Sequence, residues 1–106
     1  MDIEKLILLG RLEEIVVIDG VKFKLATPHY NGAREWGSDT TDALAIVCNM
    51  IEQIDGENYT TKEQKEGLKK ILGTLQAGVV GKLFTIGTSL LEKQTKTIDD
   101  LISKKE

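Results

Sequence analysis

Apolar positions change their spacing along the chain, and the changes divide it into elements. From Leu12 to Ile18 and from Val21 to Leu25, β-branched and other apolar residues run together or alternate with polar ones, the pattern of half-buried strands. Between the runs stands Asp19-Gly20, a pair that accepts positive φ and closes a two-residue type I′ turn. The reading is a β-hairpin over about residues 12–26. That turn sets Ile18 opposite Val21, Val16 opposite Phe23 and Glu14 opposite Leu25, so that Val16, Ile18, Val21 and Phe23 share a dry face. Lys22 and Lys24 fall on the other face beside Val17 and Ile15. A lone hairpin is marginal in water, so the dry face needs helices or another subunit's strands to cover it.

Upstream, the block Leu6, Ile7, Leu8, Leu9 fits either a short helix over Ile3–Leu9 or the lead into a strand. Downstream, Thr27 to Gly37 keeps no period and holds a proline and two glycines, which marks a loop. Helical spacing then begins. Leu44, Val47, Ile51 and Ile54 form one stripe, widened by Ala43, Ile46 and Met50, and predict a helix over about 40–55. Ser38 or Asp39 caps it, Asp42 sits in its first turn, and Gly56 ends it. Thr60 and Glu63 have capping-box spacing and open a second helical pattern over about 61–102. Its stripe is Leu68, Leu72, Leu75, Val79, Leu83, Ile86 and Leu90. Gly73, Gly78, Gly81 and Gly87 interrupt it, each costing about 1 kcal/mol in a helix interior. Two readings stay open: a break near Gly78–Gly81, or a continuous helix whose glycines admit another helix at close range. The charged tail from Glu92 keeps Ile98, Leu101 and Ile102 at helical spacing, an amphipathic extension. The fold expected is α+β, a single domain over 1–106 with an N-terminal β-hairpin followed by two or three helices, mostly helical.

Composition narrows the function classes. A chain of 106 residues builds one core, and 41% hydrophobic with 29% charged residues is a foldable mixture. The net charge of −3 supplies no field for a polyphosphate, so nucleic acid is not expected as a partner. One cysteine, Cys48, makes neither an internal disulfide nor a zinc ligand set. Ile71 to Leu91 is apolar or small except for Gln76 and Lys82. Lys82 would lie near a bilayer centre at a cost of about 2.5–3.5 kcal/mol, so no membrane span is expected. Acidic residues in Met1–Lys5 stand where a secretory signal would be basic, and a cytoplasmic location is expected.

Catalytic chemistry finds little to build on. His29 is the only histidine and reads as a loop residue making a hydrogen bond. Cys48 lies within the apolar stripe and reads as a buried, inert thiol. Glu13-Glu14 and Asp99-Asp100 are adjacent pairs that point apart. The glycines lack a phosphate-loop ending, and Lys62, Lys65, Lys69 and Lys70 alternate with Glu63 and Glu66, the pattern of a solvated helix face. No catalytic residue, metal site or cofactor is expected, and the chain is read as not an enzyme. Interaction chemistry is better represented. Tyr30, Arg34 and Trp36 are interface-type residues in one loop, although Trp36 fits a lid over the core equally well. Leu75, Val79, Leu83, Ile86 and Leu90 are expected to form an assembly surface, packed against another helix of a partner or a second copy, with Gly78 or Gly81 allowing close approach.

The order of parts is an Asp19-Gly20 hairpin with Val21-Lys22-Phe23-Lys24-Leu25, a Thr27-Pro28 exit, a capped helix, and a long helix carrying Gln76 to Leu91. Over Glu14 to Glu92 this arrangement resembles small tail and baseplate assembly proteins of tailed bacteriophages, tail assembly chaperones among them. The resemblance implies a non-enzymatic, oligomer-forming protein that binds virion components or itself, in the host cytoplasm or the virion. The alternative is a small regulatory binder that inhibits a host protein through the Tyr30–Trp36 loop.

Overall fold

A computed structural model describes residues 1–30 and 42–102. The chain opens with a short helix, α1 (Ile3–Ile7), whose N-cap Asp2 accepts from the Lys5 amide at 3.2 Å. Strands β1 (Glu13–Ile18) and β2 (Val21–Ala26) form the expected antiparallel hairpin, with Ile18 opposite Val21, Val16 opposite Phe23 and Glu14 opposite Leu25. Asp19 and Gly20 both take positive φ, 49° and 80°, as a type I′ turn requires. One residue before β1, Leu12 closes the ladder: its carbonyl accepts from the Thr27 amide at 2.9 Å, and its amide donates to Thr27 Oγ1 at 3.0 Å.

The next helix, α2, covers Ala43–Met50 and stops well short of residue 55. Asp42 is its N-cap, accepting from the Ala45 amide at 3.2 Å, and so lies outside the first turn. Ser38, Asp39 and Thr40, the other residues expected at its start, lie outside the described residues. Ile51–Ile54 is a strand, β3, antiparallel to β2, and it turns back into the short β4 (Glu57–Asn58). The apparent helical spacing of Ile51 and Ile54 has a β-sheet origin. Lys24 lies opposite Gln53 and Leu25 opposite Ile51, which leaves Glu52 as the extra residue of a bulge. The bulge resets the alternation, so Ile51 and Ile54, three apart, both face the core. Gly56 is therefore no helix terminator. With Asp55 (φ 50°) and its own φ of 83° it makes a second Asp-Gly turn. Asp55 also ties this turn to β2: its amide donates to the Lys22 carbonyl and its Oδ1 accepts from the Lys22 amide, both at 2.8 Å.

The stripe expected over 61–102 is carried by two helices, α3 (Lys62–Leu72) and α4 (Ala77–Leu101). The capping box is one residue further on than expected. Thr61 accepts from Gln64, and the Gln64 side chain returns to the Thr61 amide at 3.0 Å. The break comes at Gly73–Gln76, before Gly78. Thr74 turns its amide and hydroxyl onto the Ile71 carbonyl, and Gln76 adopts an extended conformation that starts α4 afresh. Gly78 and Gly81 lie inside α4 with open space where a Cβ would stand. The close approach is at Gly87, where a Cβ would meet Met50 Sδ at 2.9 Å.

The sheet order is β1-β2-β3-β4. Helix α2 packs against α3 and α4, and α4 also reaches β1. Phe23 and Leu25 from β2, Ile46, Val47 and Met50 from α2, Ile51, Leu68, Leu72, Leu83 and Leu90 form one buried cluster, each Leu or Ile contributing about 1.5–3 kcal/mol on burial. The α+β class and the N-terminal hairpin hold. Among the described residues no helix is long and apolar enough to cross a membrane.

Candidate functional site

Two kinds of surface come into question, a polar cleft and an aliphatic exterior. The cleft, of about 650 Å³, lies where the ends of β2 and β3 meet α2 and α3, and its lining includes Arg11, His29, Cys48, Glu52, Lys65 and Lys69. Three of its charged groups, Lys65, Arg11 and Glu52, are engaged within the fold. Lys65, from α3, donates through Nζ to the carbonyls of Cys48 (2.9 Å), Asn49 (3.3 Å) and Ile51, the acceptors left open where α2 ends. Burial pushes the Lys65 ammonium below its ordinary range, against the opposing pull of Cys48 and Glu52. Arg11 bonds Glu52 and, at 3.0 Å, Glu13, while Lys24 lies 3.5 Å from each of these two carboxylates. The bulge makes this possible by turning Glu52 onto the outer face beside Lys24.

Cys48 is buried, and its thiol donates to the Lys65 carbonyl at 3.2 Å. Burial raises its pKa, outweighing the charges of Lys65 and Lys69. A thiol held protonated and used as a donor is a poor nucleophile. Among the described residues, no group of three or more His, Cys, Asp or Glu is placed to hold a metal ion. The cleft is thus a braced junction of sheet and helices.

The aliphatic exterior is less well accounted for by the fold. Helix α1 buries none of its residues, and Ile3, Leu6, Ile7, Leu8 and Leu9 are each more than half exposed. Its root is fixed to the far end of α4: Gln94 Nε2 donates to the Gly10 carbonyl at 3.1 Å, and the Ile98 side chain lies 3.0 Å from where a Gly10 Cβ would stand. Ile98, Leu101 and Ile102, at that same end, are exposed too.

The residues singled out from sequence separate in space. Tyr30 is exposed, at 78%, and Arg34 and Trp36 lie outside the described residues. Leu83 and Leu90 are buried in the chain's own core, and Leu75, Val79 and Ile86 pack half-buried against it. The stripe of α4 is therefore largely used in holding α4 to α2 and the sheet. Sequence reasoning passed over α1 as an interface, the cap formed by Lys65, and the Arg11–Glu13–Lys24–Glu52 network. The first was legible as five apolar residues out of seven from Ile3 to Leu9. The other two depend on tertiary placement. No family model matches the chain, and neither a curated protein nor a solved structure matches it.

Proposed function

We propose that this chain is a non-enzymatic assembly module that works by binding other proteins, copies of itself included, in the manner of the tail and baseplate assembly proteins its order of parts resembles. On that reading it acts in a host cytoplasm or a virion. The observation that carries the proposal is the exposure of every residue of α1, with aliphatic residues open again at the end of α4. Exposed aliphatic clusters of this kind mark protein interaction sites. The engagement of Lys65, Arg11 and Glu52 within the fold, and the buried, protonated state of the Cys48 thiol, support a binding role over a catalytic one.

Leu6→Asp combined with Leu9→Asp tests this. Neither residue belongs to the core, so circular dichroism and the urea midpoint should stay within about 0.5 kcal/mol of the parent, while light scattering reports a smaller assembled species. An unchanged mass at every concentration would remove α1 from the interface. The exposed Tyr30 ring favours a second reading, a small regulatory binder, which requires a monomer in the same measurement.

A further inference from the structure

The two edges of the sheet are finished differently. β4 is two residues long, too short to template another strand, whereas β1 runs for six residues with neither proline nor bulge along it, and its charges, Glu13 and Glu14, are confined to one end. Proline, bulges and charges spread along a strand are the devices that ordinarily blunt an edge. The direction of each backbone group follows from the ladder. The Leu12 carbonyl accepts from Thr27, and the two-residue turn makes Ile18 and Val21 a hydrogen-bonded pair. Leu12, Glu14, Val16 and Ile18 therefore direct their amides and carbonyls to β2, and Glu13, Ile15 and Val17 direct theirs away from it. On the opposite side of β2, the Lys22 carbonyl accepts from Asp55, which agrees with the same phase. Among the described residues no strand pairs with the outward backbone groups of Glu13, Ile15 and Val17, and Ile15 and Val17 are also 59% and 61% exposed.

We propose that β1 pairs with β1 of a second copy, antiparallel across a two-fold axis at Ile15, joining two four-stranded sheets into one of eight strands. This rests on the assembly reading and names its partner. The charge pattern selects the direction. Both glutamates stand at one end of the strand, Glu13 and Glu14, so parallel pairing would bring like charges together. Antiparallel pairing about Ile15 puts Glu13 opposite Val17 of the second copy, Glu14 opposite Val16, and Ile15 opposite its own equivalent. The three outward-directed residues then meet as hydrogen-bonded pairs. A two-fold perpendicular to the sheet also leaves the helices of both copies on one face, where the half-buried Val16 and Ile18 gain cover.

Amide exchange measured by NMR on the full chain reads the pairing directly. In the wild type, the Ile15 and Val17 amides should be protected as Val16 and Ile18 are, and should lose protection on dilution together with the fall in mass. Ile15→Pro removes only an outward donor, a place where an edge strand accepts proline, and should halve the mass seen by sedimentation equilibrium. Ile15→Lys, which sets two lysines face to face across the axis, should do the same. Val17→Lys should keep the dimer, because its ammonium would meet Glu13 of the second copy. Open exchange at Ile15 and Val17 in a sample that is nonetheless assembled would overturn the β1 pairing and leave the assembly reading standing. A wild type that is monomeric throughout would overturn both. Should Ile15→Pro fail to fold, the wild-type exchange pattern and Val17→Lys decide the matter alone.

Discussion

The Lys65 ammonium reaches from α3 to the carbonyls of Cys48, Asn49 and Ile51, at the point where α2 gives way to β3. Methionine cannot donate to them, so Lys65→Met should remove these bonds and destabilise the fold by about 1–3 kcal/mol, read as a lower urea midpoint with an unchanged slope. Lys65 had read as one of four lysines on a solvated face, since spacing along a helix says which residues share a face and nothing of what lies across from it. Glu13 is set against burial, which raises its pKa, but hydrogen bonds and charges from Arg11 and Lys24 outweigh this and hold the carboxyl below its ordinary value. A lowered carboxyl value means that the unfolded chain binds the proton first as pH falls. The stabilisation is present above the ordinary carboxyl range and is lost as pH drops through the lowered folded value. Glu13→Gln should therefore be less stable than wild type at neutral pH, with the gap closing on acidification below about pH 4. A gap independent of pH would show that the network contributes nothing through charge.

At the level of elements, one dipeptide was read in two ways. Asp19-Gly20 between alternating runs announces a hairpin, while Asp55-Gly56, with the same chemistry and nearly the same positive φ values, follows residues whose spacing mimics the end of a helix. The misreading came from Ile51 and Ile54, whose three-residue separation is helical in a regular chain but here is produced by a bulge at Glu52. Pairing with β2 supplies what propensity could not, because residues 51–54 gain their partners from a strand some thirty positions earlier. Glycine in α4 shows the converse. Gly81 has open space around its Cβ position and helical backbone on both sides, so Gly81→Ala should stabilise the protein by about 0.4–1 kcal/mol. Gly87→Leu should destabilise it by about 1–3 kcal/mol or more through overpacking against the buried Met50. Thermal unfolding of the two variants checks both, and a destabilised Gly81→Ala would point to a close neighbour at that face.

For the whole molecule, the division between core and exterior decides what is left to bind. The apolar stripe expected to serve assembly largely closes the chain's own core, through Leu83 and Leu90, while the surfaces left open are α1, the end of α4 and the free edge of β1. The α+β class and the hairpin register were readable from alternation and turn chemistry, which are local. Which apolar residues remain uncovered is a property of the assembled tertiary structure, and α1 became visible as a surface only once the other elements had satisfied one another. The β1 edge and the α1 exterior belong to different elements, so one chain carries two routes to association. Sedimentation equilibrium of the 106-residue chain over a wide concentration range tests the central claim of assembly most directly. The account predicts a mass that rises with concentration to a multiple of 11.7 kDa, whereas a constant mass of one chain up to the highest concentration would contradict it.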